Sequence, residues 1–253
     1  MKPLEWYYAQ AGLYLAIPQG TSTNNHGLDF QGYGPDPDLN GLYFLAETGV
    51  TPKIGPSRLQ GHYAAGFIYW GVENTSFFGQ KYDQQVALYW QADQQLFREP
   101  SPEEPAPSSK GPSDGKSAAG GKSFKDTVST AQLKLSDQGL YFFSLVNFAP
   151  QFNNNVPFYF QAGLAYKGII PTRDEDQLGV AFAYGNYSYD KQIATEDSGG
   201  NPPVYEAVLE FDYRIQVNQW SYVQPSLQYI IHPNGTATTP NATVLGFQVG
   251  VIF

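Results

Sequence analysis

At 253 residues, with 16% aromatic and only 15% charged side chains, the chain has room for one large all-β unit or two small domains, yet carries well under the roughly 25% charge usual in soluble domains. A net charge of −9 with no Lys/Arg cluster argues against a nucleic-acid partner, which wants a basic face, and the absence of cysteine removes disulfides, thiolate metal sites and thiol nucleophiles. No stretch approaches the roughly 18 to 20 apolar residues of a membrane-crossing helix; a transmembrane strand escapes that test, because alternation keeps mean hydropathy low, here −0.37, while one face meets lipid.

Read at a period of two, the chain yields about ten strand-like runs of roughly 11 to 15 residues, long enough to cross a membrane at a tilt. Helical spacing finds poor support anywhere, and Gly and Pro fall largely between the runs. Met1-Lys2-Pro3 leads directly into the first run, 5–17, without the apolar core of a signal peptide, so the start reads as truncated. Trp6 and Tyr8 share one face of this run and Tyr7 takes the other. The long polar join 18–39 carries His26 and Asp36-Pro37-Asp38 and leads to 40–51, which holds Glu47. After the short join 52–58 comes 59–72, with His62, Tyr63, Tyr69 and Trp70. Tyr89, Gln91, Asp93 and Gln95 alternate along 83–97.

Residues 100–128 are rich in Pro, Ser, Gly, Lys and Glu and are expected to be a disordered insert, since they cannot bury enough apolar surface to fold. The runs 138–149, 156–168 and 176–189 follow, the second bearing Tyr159 and Gln161. Asp174-Glu175-Asp176, like Asp36-Pro37-Asp38, lacks the spacing of a recognised calcium loop and reads as a solvated acidic turn. A long polar join, 190–202, precedes the clearest runs, 203–216, 219–232 and 241–253. One face of the first is Ala207, Leu209, Phe211, Tyr213, Ile215 and the other Glu206, Val208, Glu210, Asp212, Arg214. The next opposes Val223, Pro225, Leu227, Tyr229, Ile231 to Tyr222, Gln224, Ser226, Gln228. The last opposes Leu245, Phe247, Val249, Val251, Phe253 to Gly246, Gln248, Gly250.

A soluble sandwich would alternate as well. Short joins alternating with long polar ones favour a membrane barrel, and so does the level of the aromatics. With the last strand ending in the periplasm, the outward residues Tyr7, Tyr63, Tyr166, Tyr213 and Phe253 fall near the periplasmic rim. Tyr69, Phe158, Tyr184, Tyr205 and Tyr229 fall near the external rim, as two interfacial girdles would. The insert then lies on the periplasmic side.

The chain resembles the carbohydrate-selective porins, the OprB-type glucose porins of bacterial outer membranes. The stretches that carry this are GLYFLAETGV (41–50), LQGHYAAGFIYWG (59–71), ALYWQADQQLFRE (87–99), AGLAYKGIIPTRDEDQLGVAFAYG (162–185), VLEFDYRIQV (208–217), WSYVQPSLQYIIHPNG (220–235) and the closing NATVLGFQVGVIF. Their order and spacing match the C-terminal half of the family. The resemblance implies one all-β domain over 1–253, part of a transmembrane antiparallel up-and-down barrel of roughly sixteen strands whose lumen passes sugars. About six strands of such a barrel and the signal peptide are absent, and a barrel of about eight strands would be filled by its own side chains. The implied partners are outer-membrane lipid, sugars as transported solutes, the barrel-assembly machinery at the strand ending in Phe253, and a further copy of the chain in a homo-oligomer.

The same alternation predicts a lumen-facing set: Trp6, Tyr8, Glu47, Trp70, Tyr89, Gln91, Asp93, Gln95, Tyr159, Gln161, Glu206, Glu210, Asp212, Arg214, Gln224 and Gln228. Sugars present hydroxyls and flat apolar C–H faces, so a pathway for them needs amides, carboxylates and aromatic rings. Any polar barrel interior would contain such residues, and Glu210, Asp212 and Arg214 at i, i+2 and i+4 are placed to neutralise one another. No enzyme is expected: no Ser-His-acid constellation follows from the spacing of His26, His62 and His232. Glu206 and Glu210 stand about 13 Å apart on one strand face, beyond the window of a glycosidase pair. No cofactor or metal is expected. The rival readings are a structural outer-membrane barrel with a periplasmic tether and no selective transport, and a soluble all-β binding module.

Overall fold

The computed structural model describes residues 4–16, 41–99 and 138–251. All ten anticipated runs are strands, with ends shifted by up to three residues: β1 (Tyr7–Ala16), β2 (Gly41–Val50), β4 (Leu59–Trp70), β7 (Gln85–Arg98), β8 (Gly139–Phe148), β9 (Phe158–Lys167), β10 (Gln177–Asn186), β11 (Tyr205–Asn218), β12 (Ser221–Ile231) and β13 (Ala242–Val251). Three two-residue strands add to them: β3 (Lys53–Ile54) pairs with β4, and β5 (Asn74–Thr75) pairs with β6 (Lys81–Tyr82). The insert at 100–128, His26, Asp36-Pro37-Asp38 and Phe253 lie outside the described residues.

Each long strand pairs antiparallel with its neighbours in the chain, in the order β1-β2-β4-β7-β8-β9-β10-β11-β12-β13, an up-and-down meander. Within the described residues β1 pairs only with β2 and β13 only with β12. Ten residues of strand rise about 33 Å, which at a tilt near 45° covers an apolar band about 25 Å tall.

The register carries one alternation through the whole sheet. Gln10 faces Glu47, Glu47 faces Gly66, His62 faces Asp93, Asp93 faces Phe143, Phe143 faces Gly163, Gly163 faces Ala181, and Glu210 faces both Ala181 and Gln228. Irregularities at Gln95/Phe97 and Gln216/Asn218 locally disturb it. One face therefore gathers most of the charged and amide side chains, together with Gly, Ala and a few apolar residues such as Ile68 and Leu145, and is called the polar face; the other is largely apolar.

Among the described residues no second layer covers the apolar face. Leu209, Phe211, Leu227 and Phe247 are exposed, and Leu245 reaches 83%. The hydrophobic residues fully buried among those described are Ala64, Ala92, Tyr141 and Ala207. A sandwich would bury these side chains between sheets, so the soluble alternative fails.

Two ends flank the strands. At the turn end β11 passes to β12 through Gln219 and Trp220, and β9 to β10 through a turn closed by the Gly168 amide on the Asp176 carbonyl, 2.8 Å. The loop end holds a helix that the sequence pattern does not announce, α1 (Tyr189–Asp197), which begins at the last residue of the run 176–189 and continues into the polar join 190–202. Ser188 caps it by accepting from the Lys191 amide at 3.2 Å, and Asp190 sits in its positively polarised first turn.

The described loops at that end are stitched together. The Phe77 amide donates to the Phe152 carbonyl, the Ser188 amide to Asn155, the Tyr187 amide to Val204 and the Val204 amide to Gly235. Asn153 donates to Asn74, the Tyr82 and Phe152 rings lie 4.1 Å apart, and the buried Ser188 hydroxyl donates to the Gln151 carbonyl at 2.5 Å.

Candidate functional site

The register places fifteen of the sixteen predicted pathway residues, all but Trp6, on the polar face. Trp6 precedes β1 in a turn, where alternation assigns no face, and its ring meets Tyr7 edge-on at 6.2 Å.

The densest group spans β1, β2, β4 and β7. Glu47 accepts from Tyr8 at 2.8 Å and from Gln10 at 2.9 Å through one oxygen, and from Tyr89 at 2.5 Å through the other. Three donors on one carboxylate are charge-assisted bonds and hold the anion in place. The Tyr8 hydroxyl also meets His62 Nε2 at 2.7 Å, and His62 Nδ1 lies 3.2 Å from Asp93. The Tyr8 and His62 rings stack 5.8 Å apart. Sequence pattern alone did not single out Gln10 or His62 for this group; their parity on β1 and β4 was the available signal.

Beside it, Gln95 is only 2% exposed, donates to the Tyr141 hydroxyl at 3.0 Å and accepts from Arg98 at 3.0 Å. Gln95 thus ties β7 to β8 from inside the wall. Gln91 lies between Ala64 and Leu145, and Tyr159 donates to Gln161 at 2.7 Å.

The second group lies on β11, β12 and β13. Gln228 donates to Glu210 at 2.9 Å, Gln224 to Asp212 at 3.0 Å, and Gln248 to the Tyr222 hydroxyl at 2.9 Å. The anticipated mutual neutralisation of Glu210, Asp212 and Arg214 does not occur: no ion pair joins them among the described residues. Neighbours at i and i+2 on a strand stand about 7 Å apart, and each acid instead meets the amide across the ladder. Arg214 lies over the Tyr222 ring. At the loop end Glu206 accepts from the Asn234 amide at 2.6 Å, and Trp70 packs edge-on to Tyr43 at 5.6 Å.

Several rings on this face lie down across a glycine. Tyr8 is opposite Gly49, Tyr89 opposite Gly66, Phe143 opposite Gly163 and Tyr222 opposite Gly250. A methyl group on any of these glycines would overlap the ring, so the missing side chain lets the aromatic hug the neighbouring backbone.

On the apolar face the aromatics form rows. Phe148, Phe158, Tyr184, Tyr205 and His232 touch in sequence toward the loop end, with centroids 4.6 to 6.4 Å apart. Toward the turn end Tyr63 donates to Gln94, Tyr166 to Glu99 and Tyr213 to Asp176, each at 2.7 Å. Apolar ring bodies with tethered hydroxyls at two levels are what the two membrane interfaces select.

Of the acidic turn Asp174-Glu175-Asp176, Asp174 and Glu175 are exposed as anticipated, but Asp176 is not. Asp176 is 1% exposed and accepts from Arg173 Nε at 2.7 Å, Arg173 Nη2 at 2.9 Å, the Tyr213 hydroxyl and the Gln216 amide at 2.9 Å. Burial pushes this carboxyl up, but the Arg173, Tyr213 and Gln216 bonds outweigh it and hold it below the usual carboxylate range. Glu175 pairs with Lys167 at 2.7 Å. No cluster of metal-ligating side chains occurs among the described residues.

The profile of the carbohydrate-selective porins, OprB family, matches residues 1–253. The chain belongs to the OprB porin family. Porin B of Pseudomonas aeruginosa is 26% identical over 265 residues, a match covering 98% of this chain and 52% of that protein. The high-pH structure of Pseudomonas putida OprB superposes with a TM-score of 0.75 at 21% identity, over 98% of this chain and 56% of that one. The chain thus spans about half the length of the OprB relatives it matches. The shared fold makes the meander a stretch of porin barrel wall. Membership places the chain in the outer membrane.

Proposed function

We propose that the polar face lines a water-filled passage through which sugars and other small solutes diffuse passively across the outer membrane. The observation that carries this reading is the lining itself. Amides, carboxylates and hydroxyls alternate with rings laid flat over glycines, a surface that offers sugars hydrogen bonds to their hydroxyls and stacking for their C–H faces. The lining residues are Tyr8, Glu47, Trp70, Tyr89, Gln91, Asp93, Tyr159, Gln161, Glu206, Glu210, Asp212, Arg214, Gln224 and Gln228, with Gln95 bracing them. Two features support free passage: the rings lie against the wall, and the charged groups are tied to wall partners. Family membership supports sugars as the solute class.

Liposome swelling with glucose and with gluconate, an anion of similar size, tests the reading. Glucose is expected to enter faster. Equal entry of both, or of neither, counts against a sugar passage.

A further inference from the structure

Among the described strands, five carboxylates share the polar face: Glu47, Asp93, Glu206, Glu210 and Asp212. None of them is paired with a lysine or arginine among the described residues. Glu47 accepts from Tyr8, Gln10 and Tyr89, Glu206 from the Asn234 amide, Glu210 from Gln228 and Asp212 from Gln224, all of them neutral donors. Asp93 meets the His62 ring at 3.2 Å, and a single histidine can offset at most one of the five charges. The cations of the same face are engaged elsewhere. Arg214 lies over the Tyr222 ring, Lys167 pairs with Glu175, and Arg98 donates to Gln95. Lys167 and Arg98 are moreover the last residues of β9 and β7, at the turn end.

A neutral donor holds a carboxylate in place without cancelling its charge, and carboxylates are ionised at neutral pH. All five side chains are partly exposed on that face. A low-dielectric wall lined by one sign of charge focuses its field into the space it faces and concentrates counter-ions there. We propose that the polar face selects solutes by charge, favouring small cations and sugars that bear an ammonium group over anions of the same size. The selection rests on the reading that this face lines a passage. The wall then does more than admit sugars through hydrogen bonds and ring faces: it ranks solutes of equal size by the sign of their charge.

Reversal potentials across planar bilayers under a KCl gradient test this on the full chain. In salt of about 0.1 M, K⁺ is expected to pass about threefold more readily than Cl⁻. The preference should fall toward one near 1 M, where the screening length shrinks from about 10 Å to about 3 Å. Two variants should move it in opposite directions. Glu210→Gln combined with Asp212→Asn removes both charges while keeping an oxygen to accept from Gln228 and Gln224, and should lower the K⁺ preference. Arg214→Gln should raise it. Equal passage of the two ions in dilute salt, a preference for Cl⁻, or a preference indifferent to salt overturns charge selection, and the parent protein alone decides this where a variant does not fold. Glucose entry into liposomes separates the two readings. Swelling without cation preference removes charge selection and keeps the passage, whereas neither swelling nor conductance removes both.

Discussion

Arg214 lies over the Tyr222 ring with its guanidinium carbon 3.8 Å from the centroid, not against Glu210 or Asp212 on its own strand. Tyr222 is the diagonal neighbour of Arg214 across the ladder and is pinned by Gln248 on its hydroxyl and by Gly250 beneath its ring. A ring so fixed is a ready platform for a planar cation. Tyr222→Leu should cost about 1 kcal/mol, measured by urea unfolding in detergent, while Tyr222→Phe, which keeps the ring face, should retain most of the stability. Equal losses in the two variants would show that the hydroxyl, not the stack, matters.

Asp176 sets a second expectation, at acid pH. Its folded carboxyl lies below its unfolded one, so its contribution is fully present above the unfolded value near 3.9 and is lost as pH falls through the folded value. Asp176→Asn should lower stability by about 3 kcal/mol at pH 7, and the gap to the parent protein should close progressively below about pH 4. Unfolding free energies at pH 7, 4 and 3 check this. A gap unchanged with pH would mean that the carboxylate charge contributes nothing.

The face assignment is tested in the middle of β13. Phe247→Arg puts a cation on the apolar side at mid-strand and should cost about 2 to 4 kcal/mol of stability in a bilayer. Gln248→Arg, one residue on but on the polar side, should cost less than about 1 kcal/mol. Similar costs at both positions would contradict the two-faced wall.

Gly66→Ala should force Tyr89 off its seat. The new methyl would overlap the ring and pull the phenol away from Glu47, whose bond to Tyr89 is worth about 1.5 to 3 kcal/mol. In a double-mutant cycle with Tyr89→Phe, most of that loss should vanish once the phenol is already gone. Simple additivity would mean that the glycine and the hydrogen bond are unconnected.

The ten long strands were legible because a wall with one apolar side imprints a period of two that no other element shares, and Leu245, Phe247, Val249 and Val251 show it plainly. The faces were legible for the same reason, since parity on one strand propagates through every ladder. Helix α1 was not, because it buries none of its residues and so carries no apolar stripe; a serine cap in a polar join is its whole signature. His62 was hidden for a different reason. Its partners Tyr8 and Asp93 are 54 and 31 residues away, and only strand register brings them together. The misplaced pairing of Arg214 came from treating spacing on one strand as proximity, where the nearer surface belonged to the neighbouring strand. Asp176, read as one more solvated acid in a charged turn, turned out to be its buried anchor, because Tyr213 and Gln216 reach it from β11.

The stitched loops bear on how the loop end moves. Main-chain bonds through Phe152, Asn155, Val204 and Gly235 join the described loops into one body, so one loop cannot swing outward without straining the next. Should the polar face line a passage, as proposed, these loops give its edge one fixed shape, and any discrimination among solutes that changes with conditions falls to the strands beneath them.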